Sequence, residues 1–174
     1  MASEMNLTLF QNITTLELTR DLQAGRQRVQ EVCELLLQGI EHKEPDLQAF
    51  TSIEPKLVLE TAQALDMHRL SGRPVGRLHG LPIVLSDIIE TDQQPTTNGT
   101  ELDAAKQGYK DSKVAERLKS GGALILGKTA VSELGVITPP ETAHPMNAEY
   151  RPGNSASGAA AVITVGLASM GVGL

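Results

Sequence analysis

The sequence predicts an α/β fold, with helices around a small, mostly parallel or mixed sheet. Three observations carry this. Residues 1–75 show helical periodicity with capping residues at the helix ends. Two short apolar runs, 81–85 and 123–126, flank a helical segment that opens at Asp111-Ser112, the order of a parallel βαβ unit. An Ala- and Val-rich run following Ser155 reads as a buried helix entered from a Pro-Gly-Asn-Ser turn. With 174 residues and 40% apolar content, the chain fits one structural domain. Within it, 1–75 forms an N-terminal helical region and 76–174 the α/β core.

Each element has its own local reason. Thr14 or Thr15 caps a first helix through Ala24, with Gly25 at its carboxyl end. A second helix, 28–42, carries Val29, Val32, Cys33, Leu36 and Ile40 on one face. Cys33 lies on that stripe and reads as a buried structural thiol. As the only cysteine it excludes an internal disulfide and a cysteine-based zinc site. Pro45 is expected to stop this helix, and 47–53 to form a short strand with Leu47 and Ala49 turned inward. Pro55 opens a third helix to about Leu70.

The run 81–85 reads as a buried strand between Gly80 and the Ser86-Asp87 pair. Asp87 is expected to stabilise a turn, and His79 to make a structural hydrogen bond. Asp111 is expected to cap the next helix, which carries Val114, Ala115 and Leu118 and closes at Gly121-Gly122. The strand 123–126 then ends at Gly127-Lys128-Thr129. That tripeptide echoes a phosphate-binding loop, but Leu124-Ile125-Leu126 occupies the place of the glycine-rich turn, so no nucleotide site is expected. Residues 135–154, with Pro139, Pro140, Pro145 and Pro152, read as a long surface loop.

Composition narrows the function classes. The formal charge is −6 with no basic cluster, which argues against a nucleic-acid partner. His42, His68, His79 and His144 are scattered, so neither a metal nor a cofactor is expected. Residues 1–10 contain Glu4 and lack a basic, apolar leader pattern, which makes the cytoplasm the default compartment. The apolar run 158–174 falls short of the roughly 20 residues that span a bilayer, and no membrane association is expected.

The stretch Gly76-Arg77-Leu78-His79-Gly80-Leu81-Pro82-Ile83-Val84-Leu85-Ser86-Asp87, the turn Thr96-Thr97-Asn98-Gly99-Thr100, residues 111–134 and Gly153-Asn154-Ser155-Ala156-Ser157-Gly158-Ala159 occur in a fixed order. Together they resemble the amidase signature family, whose members hydrolyse amide C–N bonds. The resemblance is strongest from Gly76 to Gly166 and implies a Ser–Ser–Lys proton relay. Ser86 stands at the position of the family lysine, the relay's base. Ser155 stands at the bridging serine, which in the family carries a cis peptide. The nucleophile has no match within the chain. Asn154, Ser157 and Gly158 are the implied substrate-binding positions, and Lys128 is an implied structural residue.

A serine hydroxyl lacks the basicity of a neutral amine, so Ser86 cannot start the relay. The resemblance therefore implies an incomplete, truncated amidase-signature domain with hydrolysis lost or severely weakened. One alternative is an active amidase for a small amide, if a longer chain or partner supplies the nucleophile. Another is a non-catalytic binding or scaffold protein. The helix from about Ser155 and the strand 81–85 are expected to be left uncovered. Self-association, or a protein partner over the C-terminal segment, is expected as a consequence.

Overall fold

The structure is a computed structural model that describes residues 13–102, 110–147 and 149–173. Its elements are α1 (Thr15–Ala24), α2 (Val29–Leu47), β1 (Phe50–Ser52), α3 (Pro55–Leu70), β2 (Pro82–Ser86), α4 (Lys113–Ser120), β3 (Leu124–Thr129), α5 (Ser157–Thr164) and β4 (Met170–Val172).

Thr14 caps α1 in a reciprocal box: its hydroxyl accepts from the Glu17 amide at 3.2 Å, and the Glu17 carboxylate accepts from the Thr14 amide at 2.9 Å. Gly25 ends the helix at φ 70°, a left-handed conformation that glycine adopts without strain. The α2 stripe is buried along its whole length, from Val29 to Ile40. Burial, followed by the nearby Asp66 and Glu34 charges, pushes the Cys33 thiol up to about 12, which leaves it unreactive at neutral pH.

Two local expectations need correction. Pro45 does not stop α2, which continues to Leu47 and ends at Gln48 in the left-handed region. A proline in the last turn removes only one helical bond, and the extra turn buries Leu47 and Ala49. The strand after it is correspondingly shorter, Phe50–Ser52. Asp111 does not cap α4. The Ser112 hydroxyl accepts from the Ala115 amide at 3.3 Å instead, while Asp111 accepts from the Asp92 amide at 3.0 Å and from Lys119 at 2.8 Å.

The sheet order is β1-β3-β2-β4. β2 runs parallel to β3 and β4, and β1 is antiparallel to β3. Leu85 pairs with Lys128 and Ser86 with Thr129, after a register shift between Ile83 and Val84. β4 is an element without a sequence signal of its own; it pairs Ile83, Val84 and Leu85 with Met170, Gly171 and Val172. The expectation that 81–85 lies uncovered does not hold, because every residue of β2 is buried between β3, β4 and α5. Exposed apolar side chains in the stretch after β3 include Val136, Ile137, Met146 and Tyr150, and others lie on the helices, such as Leu16, Met67 and Ile163. Among the described residues no helix is long and apolar enough to cross a membrane.

Candidate functional site

The carboxyl ends of β2 and β3 bring together Ser86, Asp87, Lys128 and Thr129. Side chains alternate along a strand, so Leu85 and Asp87 face one side of the sheet and Val84 and Ser86 the other. The pairing of Leu85 with Lys128 places Lys128 on the Asp87 side, and the pairing of Ser86 with Thr129 groups those two on the opposite side.

The Ser86 side is small and uncharged. Ser86 is fully buried, and its Oγ has no hydrogen-bond partner among the described residues. A Cβ on Gly173 would stand 2.7 Å from that Oγ and 2.8 Å from the Ala156 methyl, so glycine at 173 lets β4's end close over the serine. Gly158 presses the start of α5 onto β3 and the strand entry, where a Cβ would stand 2.5 Å from both the Ala130 nitrogen and the Ala49 oxygen. Its own amide donates to the Ala130 carbonyl at 3.1 Å. Ser157, the first residue of α5, is buried, and its Oγ has no partner among the described residues. Ser155 is half-buried, and its Oγ lies 3.9 Å from where a Cβ on Gly135 would be. Asn154 is exposed, and its side-chain amide donates to the Val136 carbonyl at 3.5 Å. The peptide bonds flanking Ser155 are trans.

The Asp87 side is charged and densely bonded. Lys128 is fully buried; its ammonium donates to Asp87 Oδ1 at 3.1 Å, Thr96 Oγ1 at 2.7 Å and the Pro95 carbonyl at 3.2 Å. Burial pushes the Lys128 pKa down, and the Asp87 carboxylate partly offsets this. Asp87 Oδ2 accepts from the Thr97 amide at 3.2 Å and from the Thr97 hydroxyl at 2.5 Å. The Asp87 main chain donates to the Thr129 carbonyl at 2.9 Å and accepts from the Asn98 amide at 3.0 Å.

Sequence reasoning missed the Asp87–Lys128 pair and the part Thr97 plays in it. One signal was present: a lysine following an apolar strand run must find a counter-charge if it is buried. Which carboxylate supplies it depends on the register between β2 and β3.

His79 lies at the other end of β2, seven residues before Ser86 and about 3.3 Å of strand per residue away from it. It is buried, its Nε2 has no partner among the described residues, and its ring centre lies 6.4 Å from that of His68. Burial, then the neighbouring His68 and Arg69 charges, push its pKa down against an opposing effect of Asp66. Among the described residues no group of three or more His, Cys, Asp or Glu side chains is placed to hold a metal.

The amidase family model matches residues 31–174. The chain is 32% identical over 166 residues to a glutamyl-tRNA(Gln) amidotransferase subunit from Chloroflexus aurantiacus, covering 92% of this chain and 34% of that protein. An amidase family protein from Bacillus anthracis superposes with a TM-score of 0.85 at 25% identity, covering 97% of this chain and 36% of that one. The native peptide amidase of Stenotrophomonas maltophilia gives a TM-score of 0.83 at 26% identity, over 92% of this chain and 36% of its own. The chain thus spans about a third of the length of these relatives.

Proposed function

The chain belongs to the amidase signature family, and we propose that it carries the family's relay site without the base that drives it. By itself it does not hydrolyse amides, or does so very weakly. The supporting observation is the environment of Ser86. Its hydroxyl is buried, closed over by Gly173 and Ala156, and lies on the side of the sheet away from Lys128. A serine there can hold a proton but cannot accept one at neutral pH as a neutral lysine does. Lys128 does not take over that task, because its ammonium is directed to Asp87, Thr96 and Pro95. Ser155 keeps the bridging position, with Asn154, Ser157 and Gly158 around it as the substrate-binding positions. Losing one member of such a relay lowers rates by orders of magnitude.

The test is direct. The purified chain, mixed with a fluorophosphonate probe and a panel of aliphatic and aryl amides, should remain unlabelled and inactive. Ser86→Lys alone should not restore turnover, since the nucleophile has no match in these 174 residues. Stoichiometric labelling of Ser155 or Ser157 would overturn the reading and point to a rearranged serine nucleophile.

A second reading concerns partners and has its own support. The Chloroflexus relative is one subunit of an amidotransferase. In this chain Val136, Ile137, Met146 and Tyr150 are exposed apolar side chains, Val136 lies beside Asn154, and β4 is an edge of the sheet paired only with β2 among the described residues. We propose that a protein partner or a second copy covers this surface, in the cytoplasm, and that a longer chain could supply the missing nucleophile. Light scattering across a dilution series tests it. A monomer at every concentration would remove self-association from the reading.

A further inference from the structure

Two turns at the carboxyl end of the sheet hold non-glycine residues in the left-handed region, Asn98 at φ 55° and Leu134 at φ 49°. Such a conformation is strained for a side chain like leucine's and persists only where surrounding contacts enforce it. The two residues enforce each other, since the Leu134 amide donates to the Asn98 carbonyl at 2.8 Å. Gly99 fits against the same strand exit, where a Cβ would lie 2.8 Å from the Ser132 and Val131 carbonyl oxygens. The second turn, Glu133–Gly135, adjoins Ser155 through Gly135, and the following Val136 carbonyl accepts from Asn154.

The first turn is anchored from below. Asp87 accepts from both the amide and the hydroxyl of Thr97, and that hydroxyl in turn accepts from the Gly99 amide at 3.2 Å. Lys128 holds Asp87 and the two residues before Thr97 at once. Three ammonium protons meet three acceptors, so the lysine is saturated as a brace and has no proton left for a ligand.

We infer that Asp87 and Lys128 are positioning residues, fixing the 96–100 turn through Thr97 and, through Asn98, the Glu133–Gly135 turn that walls Ser155. This rests on the reading of the Ser155 region as the site, but the coupling between the turns is a property of the chain without any ligand. The two claims therefore fail separately.

Amide hydrogen exchange on the full chain, with no substrate or probe, tests the coupling. Thr97→Val removes the hydroxyl while leaving the ion pair intact, and Thr97→Ser keeps the hydroxyl. In Thr97→Val, exchange at Gly99 and at Leu134 should rise at least tenfold, while Leu124, bonded to Leu81 at the far end of β3, stays within twofold. Thr97→Ser should restore wild-type protection at both turns. The double variant Asp87→Asn/Lys128→Met, which removes both charges together, should reproduce the Thr97→Val pattern with a larger effect. An unchanged Leu134 in Thr97→Val, equal acceleration at Leu124, or no recovery in Thr97→Ser would each overturn the proposal. None of those results would alter the outcome of the fluorophosphonate test.

Discussion

Two clusters stand back to back across the ends of β2 and β3. On one side Lys128, Asp87, Thr96 and Thr97 are knitted by short hydrogen bonds around a buried ion pair. On the other, the buried Ser86 hydroxyl has no partner among the described residues and packs against Gly173 and Ala156. Consecutive residues, Ser86 and Asp87, belong to opposite clusters because a strand turns successive side chains to opposite sides. The contrast separates two jobs. The charged cluster fixes backbone geometry, whereas the neutral one is where the family resemblance places the chemistry and where charge is missing.

Breaking the charged cluster should have the largest effect. Lys128→Met leaves the Asp87 carboxylate buried without its counter-ion, which should lower unfolding stability by about 3–5 kcal/mol. Removing Asp87 at the same time, as Asp87→Asn, should recover much of that loss. Urea titration measures both, and a single-variant loss below about 1 kcal/mol would show that the pair does not organise this side.

Gly158→Ala should cost less, about 1–3 kcal/mol, since the new methyl meets backbone of Ala130 and Ala49 that cannot move aside freely. A thermal melt reports it. An unchanged midpoint would mean that α5 can lift from β3 without penalty.

Acid provides a control at the far end of β2. The folded protein holds His79 neutral, with its pKa below the usual value near 6.5. Between the folded and unfolded values the unfolded chain binds more protons, so stability is full above about 6.5 and falls as pH drops towards the folded pKa. One such group contributes a slope of at most about 1.4 kcal/mol per pH unit. His79→Phe should flatten that part of the curve, measured by urea midpoints from pH 7.5 to 5. An unaltered slope would assign the acid sensitivity to other groups.

Ser86→Ala should have the smallest effect. Removing a buried hydroxyl with no partner among the described residues should leave stability within about 1 kcal/mol of the parent or raise it slightly. A loss above about 2 kcal/mol in the same titration would reveal a hydrogen bond that the neutral side depends on.

Features that depend on neighbours within a turn or two are legible in the chain alone. The Thr14 cap, the stripe from Val29 to Ile40, the opening of α3 at Pro55 and the parallel pairing of the runs around α4 are all local or periodic signals. The motif order from Gly76 to Gly166 also identified the family and drew attention to Ser86. The remaining features arise from contacts between residues distant in sequence, which no local pattern encodes. Pro45 is carried inside α2 because Leu47 gains a buried seat beyond it. β4 is too short and glycine-rich to announce itself, and exists as a strand through its pairing with β2. Lys128 reads as a charge after an apolar run until the register of β2 and β3 sets it against Asp87, 41 residues earlier. A local signal needs only the chain's own geometry, whereas a buried charge must find its partner wherever the sheet brings one within reach.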